Sequence, residues 1–259
     1  MQRLITLGLL IFSLIACQKP PVNQLVIGTI SGPETELIET GKEVALKKYG
    51  LDLRIVEFTD YNLPNEALED GSLDANVFQH LPYLEASKKA HGYHLEVIGK
   101  TFVYPMAIYS HTINSIKKIP HKAIIALPND PSNEARALLL LQKSGLISLK
   151  KTRTATLNDI LTNPKELIFK EMDAAQLPRI LPDVDAAIIN TTFAIPAGLN
   201  PSKDALFSEG KDSPYANLIV IKQNSLKKDK LLLLVKALNS VEVENKAKQL
   251  FGNAAIPAW

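Results

Sequence analysis

Apolar and polar positions along this chain change rhythm repeatedly, from short apolar runs to helical spacing and back. Leu25–Ile30 is an apolar run of strand length. From Glu34 to Tyr49, Leu37, Gly41, Val44, Ala45 and Lys48 then fall on one helical face. Gly50 stands where such a helix needs a left-handed terminal residue. Leu51–Phe58 sets Leu53 and Ile55 against Asp52 and Arg54, the alternation of a strand. A short helix over Pro64–Asp70, a strand over Leu73–Gln79 and a helix from Pro82 to Ala90 follow, then strands over His94–Gly99 and Phe102–Tyr109. The succession returns without any repeat of sequence. It gives a strand at Ala123–Leu127, a helix at Pro131–Ser144 stopped by Gly145, and strands at Leu167–Met172, Ala186–Ile189 and Tyr215–Ile221. Leu226–Phe251 closes the chain as a helix broken near Ser240. Such alternation predicts an α/β architecture with largely parallel sheets.

The start of the chain follows different rules. Met1-Gln2-Arg3 carries one positive side chain, and Leu4–Ala16 is apolar apart from Thr6, Gly8 and Ser13. That run is shorter than the roughly 20 apolar residues of a membrane-spanning helix, and it has the proportions of a secretory signal. It ends Leu14-Ile15-Ala16-Cys17, and Cys17 is the only cysteine of the chain. A lone thiol in an exported protein has no disulfide partner and needs another use. The segment resembles a lipobox, in which the signal peptide of residues 1–16 is removed and Cys17 becomes the lipidated N-terminus. An ordinary signal peptide with an incidental cysteine is the alternative. Two acyl chains at that residue would anchor stably, whereas one would be marginal. Residues 17–23, polar and stiffened by Pro20 and Pro21, read as the tether.

Composition narrows the partners. Removing residues 1–16 takes away Arg3, leaving 28 of the 29 basic residues against 27 acids, a net charge of +1. The lysine pairs 47–48, 88–89, 117–118 and 227–228 are scattered and read as solvated faces, so nothing points to nucleic acid. A hydrophobic content of 46% is that of a globular protein. The roughly 240 residues after the signal exceed one typical domain and favour two lobes.

Ligands of open α/β sheets bind beyond the carboxyl ends of strands. Asp60-Tyr61, Phe78-Gln79-His80, Asn129-Asp130 and Asn190-Thr191-Thr192 all stand at such ends. Polar loops alone would give the same pattern. Arg136 is more informative. Asp130 is a natural N-cap and Pro131 a natural first helical residue, which puts Arg136 in the second turn, near the positive end of the helix dipole. A guanidinium there makes a receptor for a carboxylate; a pair with Glu134 or another acid is the alternative.

Longer motifs then carry a family resemblance. They are Phe58-Thr59-Asp60-Tyr61-Asn62-Leu63-Pro64-Asn65-Glu66-Ala67-Leu68, Asp74-Ala75-Asn76-Val77-Phe78-Gln79-His80-Leu81-Pro82-Tyr83-Leu84, Thr101-Phe102-Val103-Tyr104-Pro105 and Pro128-Asn129-Asp130-Pro131-Ser132-Asn133. Gln176-Leu177-Pro178-Arg179, Ile189-Asn190-Thr191-Thr192 and Ser213-Pro214-Tyr215-Ala216-Asn217-Leu218-Ile219-Val220 complete the set. In this order they resemble the methionine-binding lipoproteins of the MetQ/NlpA type, down to the terminal Trp259. The stretch Ser31-Gly32-Pro33-Glu34-Thr35-Glu36 departs from the small Gly-Ala pair usual there.

The resemblance implies a two-lobed periplasmic-binding-protein fold of type II, with a central cleft and a chain that crosses twice between lobes. The first lobe would hold residues 23–107 and 218–259, and the second 108–217. It implies a monomer, lipid-anchored to a bacterial membrane and facing the periplasm or exterior. It also implies an ABC permease and its ATPase as partners and methionine, L or D, as ligand, with no cofactor. Its ligand contacts would be Tyr61, Phe78, His80 and Tyr83 from the first lobe, with Asn133, Arg136, Asn190 and Asn217 from the second or the crossover. Their chemistry suits that ligand: aromatic rings hold a thioether at about 0.3–1.5 kcal/mol per contact, Arg136 binds a carboxylate, and amide oxygens of Asn190 and Asn217 accept from an ammonium. His80 would order the pocket or donate to the carboxylate. A receptor for another small amino acid or organic anion is the nearest rival. An exported hydrolase lacks its Gly-x-Ser-x-Gly elbow. A metal site from His80, His91 and His94 lacks the spacing of a zinc motif.

Overall fold

The computed structural model describes residues 23–152, 154–210 and 213–259; the expected signal peptide and Cys17 lie outside them. The first half contributes β1 (Gln24–Ile30), α1 (Pro33–Tyr49), β2 (Asp52–Phe58), α2 (Pro64–Glu69), β3 (Ala75–His80), α3 (Leu81–His91) and β4 (Leu95–Val103). The middle contributes β5 (Ala107–Tyr109), β6 (Ile124–Pro128), α4 (Pro131–Lys143), β7 (Ser148–Leu149), β8 (Ile160–Thr162) and β9 (Ile168–Met172). It continues with α5 (Leu177–Ile180), β10 (Ala186–Ile189), α6 (Thr191–Ala194) and β11 (Phe207–Ser208). The end adds β12 (Ala216–Lys222), α7 (Lys228–Leu238), α8 (Val241–Phe251) and β13 (Ile256–Pro257).

Local chemistry sets these boundaries. Gly50 ends α1 at φ 61 and returns its N–H to Leu46 O at 3.0 Å, the left-handed stop that a side chain would resist. Leu37, Val44 and Ala45 are buried, while Lys48 at the edge of the expected face is exposed and pairs with Glu242 at 2.8 Å. Ser240 takes an extended conformation and separates α7 from α8.

Two large sheets result, in the orders β13-β4-β12-β3-β1-β2 and β11-β5-β10-β6-β9, beside a small antiparallel pair, β7-β8. They are mixed rather than largely parallel. β1 runs parallel to β2 and β3, and β6 parallel to β9 and β10, but β12 lies antiparallel to β3 and β4, and β5 antiparallel to β10 and β11. Parallel neighbours need a crossover of their own; β12 instead enters its sheet from the other one. The segment expected to break near Gly99 is one strand to Val103. A β-carbon at Gly99 would lie 2.9 Å from Val235 Cγ1, so the glycine admits α7 without ending the strand.

The chain leaves the first sheet through Tyr104-Pro105-Met106 and returns between Ser208 and Ala216. Ala107 pairs with Ile189 and Ser208 in the second sheet, and Asn217 pairs with His80 in the first. Each sheet has its own apolar interior: Leu25, Ile27, Leu53 and Val77 pack with Leu231 and Leu234, while Ile125, Leu127 and Ile188 pack with Leu138 and Leu141. The two crossings are tied together, since Met106 N–H donates to Glu209 Oε2 and Glu209 N–H to Met106 O, both at 3.0 Å.

Candidate ligand-binding site

Strand β3 is buried at every position and ends in Phe78, Gln79 and His80. Beneath that end lies a closed amide network: Asn65 donates to Gln79 Oε1 at 2.9 Å, and Asn76 donates to Asn65 Oδ1 at 2.9 Å. Gln79 donates in turn to the amide oxygens of Asn65 and Asn76 at 2.6 and 2.9 Å. Buried amides survive only when so satisfied, and this network ties β3 to α2.

Above it, Phe78, Tyr61 and Tyr83 form a triangle with ring centroids 5.7–5.8 Å apart. Tyr83 donates its hydroxyl to Tyr61 O at 2.8 Å, and Phe193 from the second sheet's side closes on Tyr61 at 4.9 Å. Burial raises the phenols of Tyr61 and Tyr83 well above their ordinary range, so both stay neutral.

The polar wall comes from the second sheet. Asp130 caps α4, accepting from Asn133 N at 2.9 Å and, through its two oxygens, from Asn133 Nδ2 at 3.1 and 2.9 Å. With its NH2 turned to Asp130, Asn133 presents Oδ1, which accepts from Asn190 Nδ2 at 2.9 Å and meets His80 Nε2 at 3.3 Å. His80 Nδ1 accepts from Tyr83 N, so its proton sits on Nε2. Burial, then the charge of Arg136, lowers the imidazole to about 3. His80 is therefore a neutral donor that spans the two sheets. Asn190 Oδ1 is buried and accepts no hydrogen bond, an expensive arrangement for a polar atom.

Arg136 is 3% exposed. Its Nε and Nη2 clasp Glu209 at 2.8 and 2.5 Å, Nη2 also reaches Tyr104 O at 2.9 Å, and its Cζ lies 4.2 Å over the Tyr215 ring. The partner is thus a buried acid from the return crossing; Glu134 instead accepts from Leu157 N. Nη1 bonds to none of the described residues.

All eight residues singled out from the sequence, Tyr61, Phe78, His80, Tyr83, Asn133, Arg136, Asn190 and Asn217, line one cavity, together with Gln79, Tyr104, Thr191 and Thr192. Residues the sequence reading passed over complete the surround. Glu34 is 4% exposed and accepts from Asn217 Nδ2 at 2.8 Å and Thr192 Oγ1 at 3.1 Å. Burial raises its carboxyl to about 7, against the lowering effect of Asn217, Thr192 and Tyr104. Glu209 and Tyr215 were equally unmarked. Glu34 and Glu209 look like ordinary surface acids in sequence; Gln79, Tyr104, Thr191, Thr192 and Tyr215 lay inside motifs already quoted. His91 stacks on Tyr93 and His94 pairs with Glu69, and no three potential metal ligands converge among the described residues.

Residues 25–259 match the family described as NlpA lipoprotein. The chain belongs to that family. The D-methionine-binding lipoprotein MetQ of Escherichia coli is 45% identical over 254 residues, covering 95% of this chain and 93% of that one. Among solved structures, an ABC transporter periplasmic substrate-binding protein from Coxiella burnetii is 56% identical with a TM-score of 0.89, covering 90% and 100%. A nutrient-binding protein from Burkholderia cenocepacia bound to methionine is 46% identical with a TM-score of 0.87, covering 91% and 100%. The fold of this NlpA family member is therefore that of periplasmic substrate-binding proteins, two-lobed with a central cleft. These relatives are named as binding proteins and lipoproteins, which places the family in the cell envelope.

Proposed function

We propose that this chain is the methionine-capturing lipoprotein of an ABC importer and not an enzyme. The observation that carries the reading is one cavity that brings three matched groups together. Arg136 offers a cation at one side, the rings of Tyr61, Phe78 and Tyr83 an apolar box at another, and Asn190 Oδ1 an unpartnered acceptor between them. A carboxylate, a thioether and an ammonium are the groups of methionine. A thioether gains from ring contacts, a carboxylate from charge-assisted bonds to Arg136, and an ammonium from amide oxygens at Asn190 and Asn217.

Capture works by closure, because groups from both sheets must meet before the cavity is complete. His80–Asn133, Glu34–Thr192, Asn62–Asp173 and Tyr61–Phe193 all join the two sides. A ligand that bridges the sides stabilises the closed form over the open one. The lobes on this reading are residues 23–107 with 218–259, and 108–217. Cys17 carries the lipid anchor after removal of residues 1–16. The chain acts as a monomer that hands its ligand to a permease driven by an ATPase, and it needs no cofactor. Native mass spectrometry of the purified protein, followed by calorimetry with L- and D-methionine, tests the proposal. A bound mass of one methionine and saturable binding are expected. A different copurified amino acid, or no heat with either enantiomer, refutes it.

A further inference from the structure

We infer that Glu34 fixes the Asn217 amide with its oxygen toward the cavity, and so makes the site select ligands that carry an ammonium group. The inference rests on the functional reading above and deepens it.

An asparagine amide presents a donor on one side and an acceptor on the other, and which side faces a ligand is decided by what the other side must bond. Asn217 Nδ2 lies 2.8 Å from Glu34 Oε1. Above about pH 7 Glu34 is a carboxylate and only accepts, so at pH 8, where the test below is run, the NH2 must turn to it. Asn217 Oδ1 is then left on the cavity side, where no described residue donates to it. Glu34 is buried, forms no ion pair among the described residues, and has its second oxygen held by Thr192 Oγ1 at 3.1 Å. Thr192 belongs to the opposite side of the cleft, so meeting of the lobes adds a second partner to Glu34.

The neighbouring acceptor is built by the same device. Asp130 turns the amide nitrogen of Asn133 to itself, Asn133 Oδ1 accepts from Asn190 Nδ2, and Asn190 Oδ1 is left without a partner among the described residues. A buried carboxylate, Glu34, and a half-buried one, Asp130, at separate places in the chain thus impose the same polarity on two amides that line one cavity. An acid serving only the helix dipole at the start of α1 would gain as much pointing into water. A pair of oxygens so oriented favours an ammonium. A ligand with the same carboxylate and thioether but no amine leaves both unpaired, the arrangement that gives sites their steepest discrimination.

Calorimetry at pH 8 on the full mature chain with methionine and its des-amino analogue, 4-(methylthio)butanoate, tests this. The wild type should prefer methionine by roughly a hundredfold or more. In E34Q the glutamine amide can donate to Asn217 Oδ1 and turn the NH2 toward the ammonium. The preference should shrink by about tenfold or more, mostly through weaker methionine binding. In E34Q/N217D the new amide donates to a carboxylate that again offers oxygen to the cavity, and the preference should return to within about threefold of the wild type. That recovery is not expected of a merely structural defect, and the double variant decides the matter alone if E34Q does not fold. A wild-type preference retained in folded E34Q, or no recovery in the double variant, overturns the inference while leaving methionine binding intact. A wild type that binds no methionine overturns the functional reading as well.

Discussion

Replacing Arg136 tests the charge logic of the site, but a single truncation would confuse two effects. The guanidinium is buried and clasped by Glu209, whose side chain is only 7% exposed. Removing one partner of a buried pair leaves the other charge uncompensated, at about 3–5 kcal/mol of folding stability. The informative perturbation is R136M/E209Q, which removes both charges and keeps similar volumes. Replacing a whole buried pair by neutral groups is often close to neutral for stability, although Tyr104 O and Met106 N lose charge-assisted partners at about 1 kcal/mol each. We therefore expect R136M to lower the urea-derived unfolding free energy by about 3–5 kcal/mol and R136M/E209Q by about 2 kcal/mol or less. Methionine affinity should fall by about 2–5 kcal/mol in both, since a desolvated carboxylate loses its cation either way. Calorimetry on the folded double variant isolates the binding effect. If the double variant is stable and binds methionine within about threefold of the wild type, less than 1 kcal/mol, Arg136 does not hold the carboxylate and the reasoning fails.

Further outcomes follow from other parts of the cleft. Asn190→Ala removes an acceptor free of described partners, so methionine affinity should drop by about 1 kcal/mol or more by calorimetry, with about 1 kcal/mol of stability lost through the bond to Asn133; unaltered binding would refute the contact. Asn217→Ala should cost at least about 1 kcal/mol of affinity in the same assay. Glu34 titrates near 7 when folded and near 4.5 in its ordinary state. The native chain therefore holds the extra proton between those values, and the contribution of Glu34 is full below about 4.5 and drains as pH rises to about 7, by about 3 kcal/mol. Urea midpoints should show E34Q gaining on the wild type by about 1.4 kcal/mol per pH unit across that window; parallel curves would refute it. His80, lowered to about 3, acts in the opposite sense, its contribution being lost as pH falls from about 6.5, so the wild type alone shows a flatter profile. Gly32 sits at φ 138 with Pro196 Cγ 3.2 Å from where a β-carbon would lie. Gly32→Ala should cost about 1–2 kcal/mol in unfolding experiments, and a neutral result would show that the loop relaxes freely.

Much of this site was legible because its residues stand at strand ends, where backbone geometry gathers them whatever the rest of the chain does. Tyr61, His80 and Asn190 are of this kind, and the capped start of α4 placed Arg136 and Asn133. The family motifs, not periodicity, assigned their roles. What stayed hidden is long-range. Nothing near Arg136 in sequence announces Glu209, 73 residues away, and an acid at Glu34 reads as an ordinary complement to a helix start. Its burial depends on Asn217, 183 residues on. Strand direction was hidden for a related reason: apolar runs record burial, not orientation, so the reversal of β12 became visible only in the sheet.

The two crossings have a mechanical consequence. Met106 and Glu209 bond each other in both directions, and Arg136 grips Glu209 and Tyr104 O at once. The two crossings are therefore joined through the side chain that, on the proposed function, faces the guest. If the proposed carboxylate contact holds, cargo and crossing meet at one side chain, Arg136.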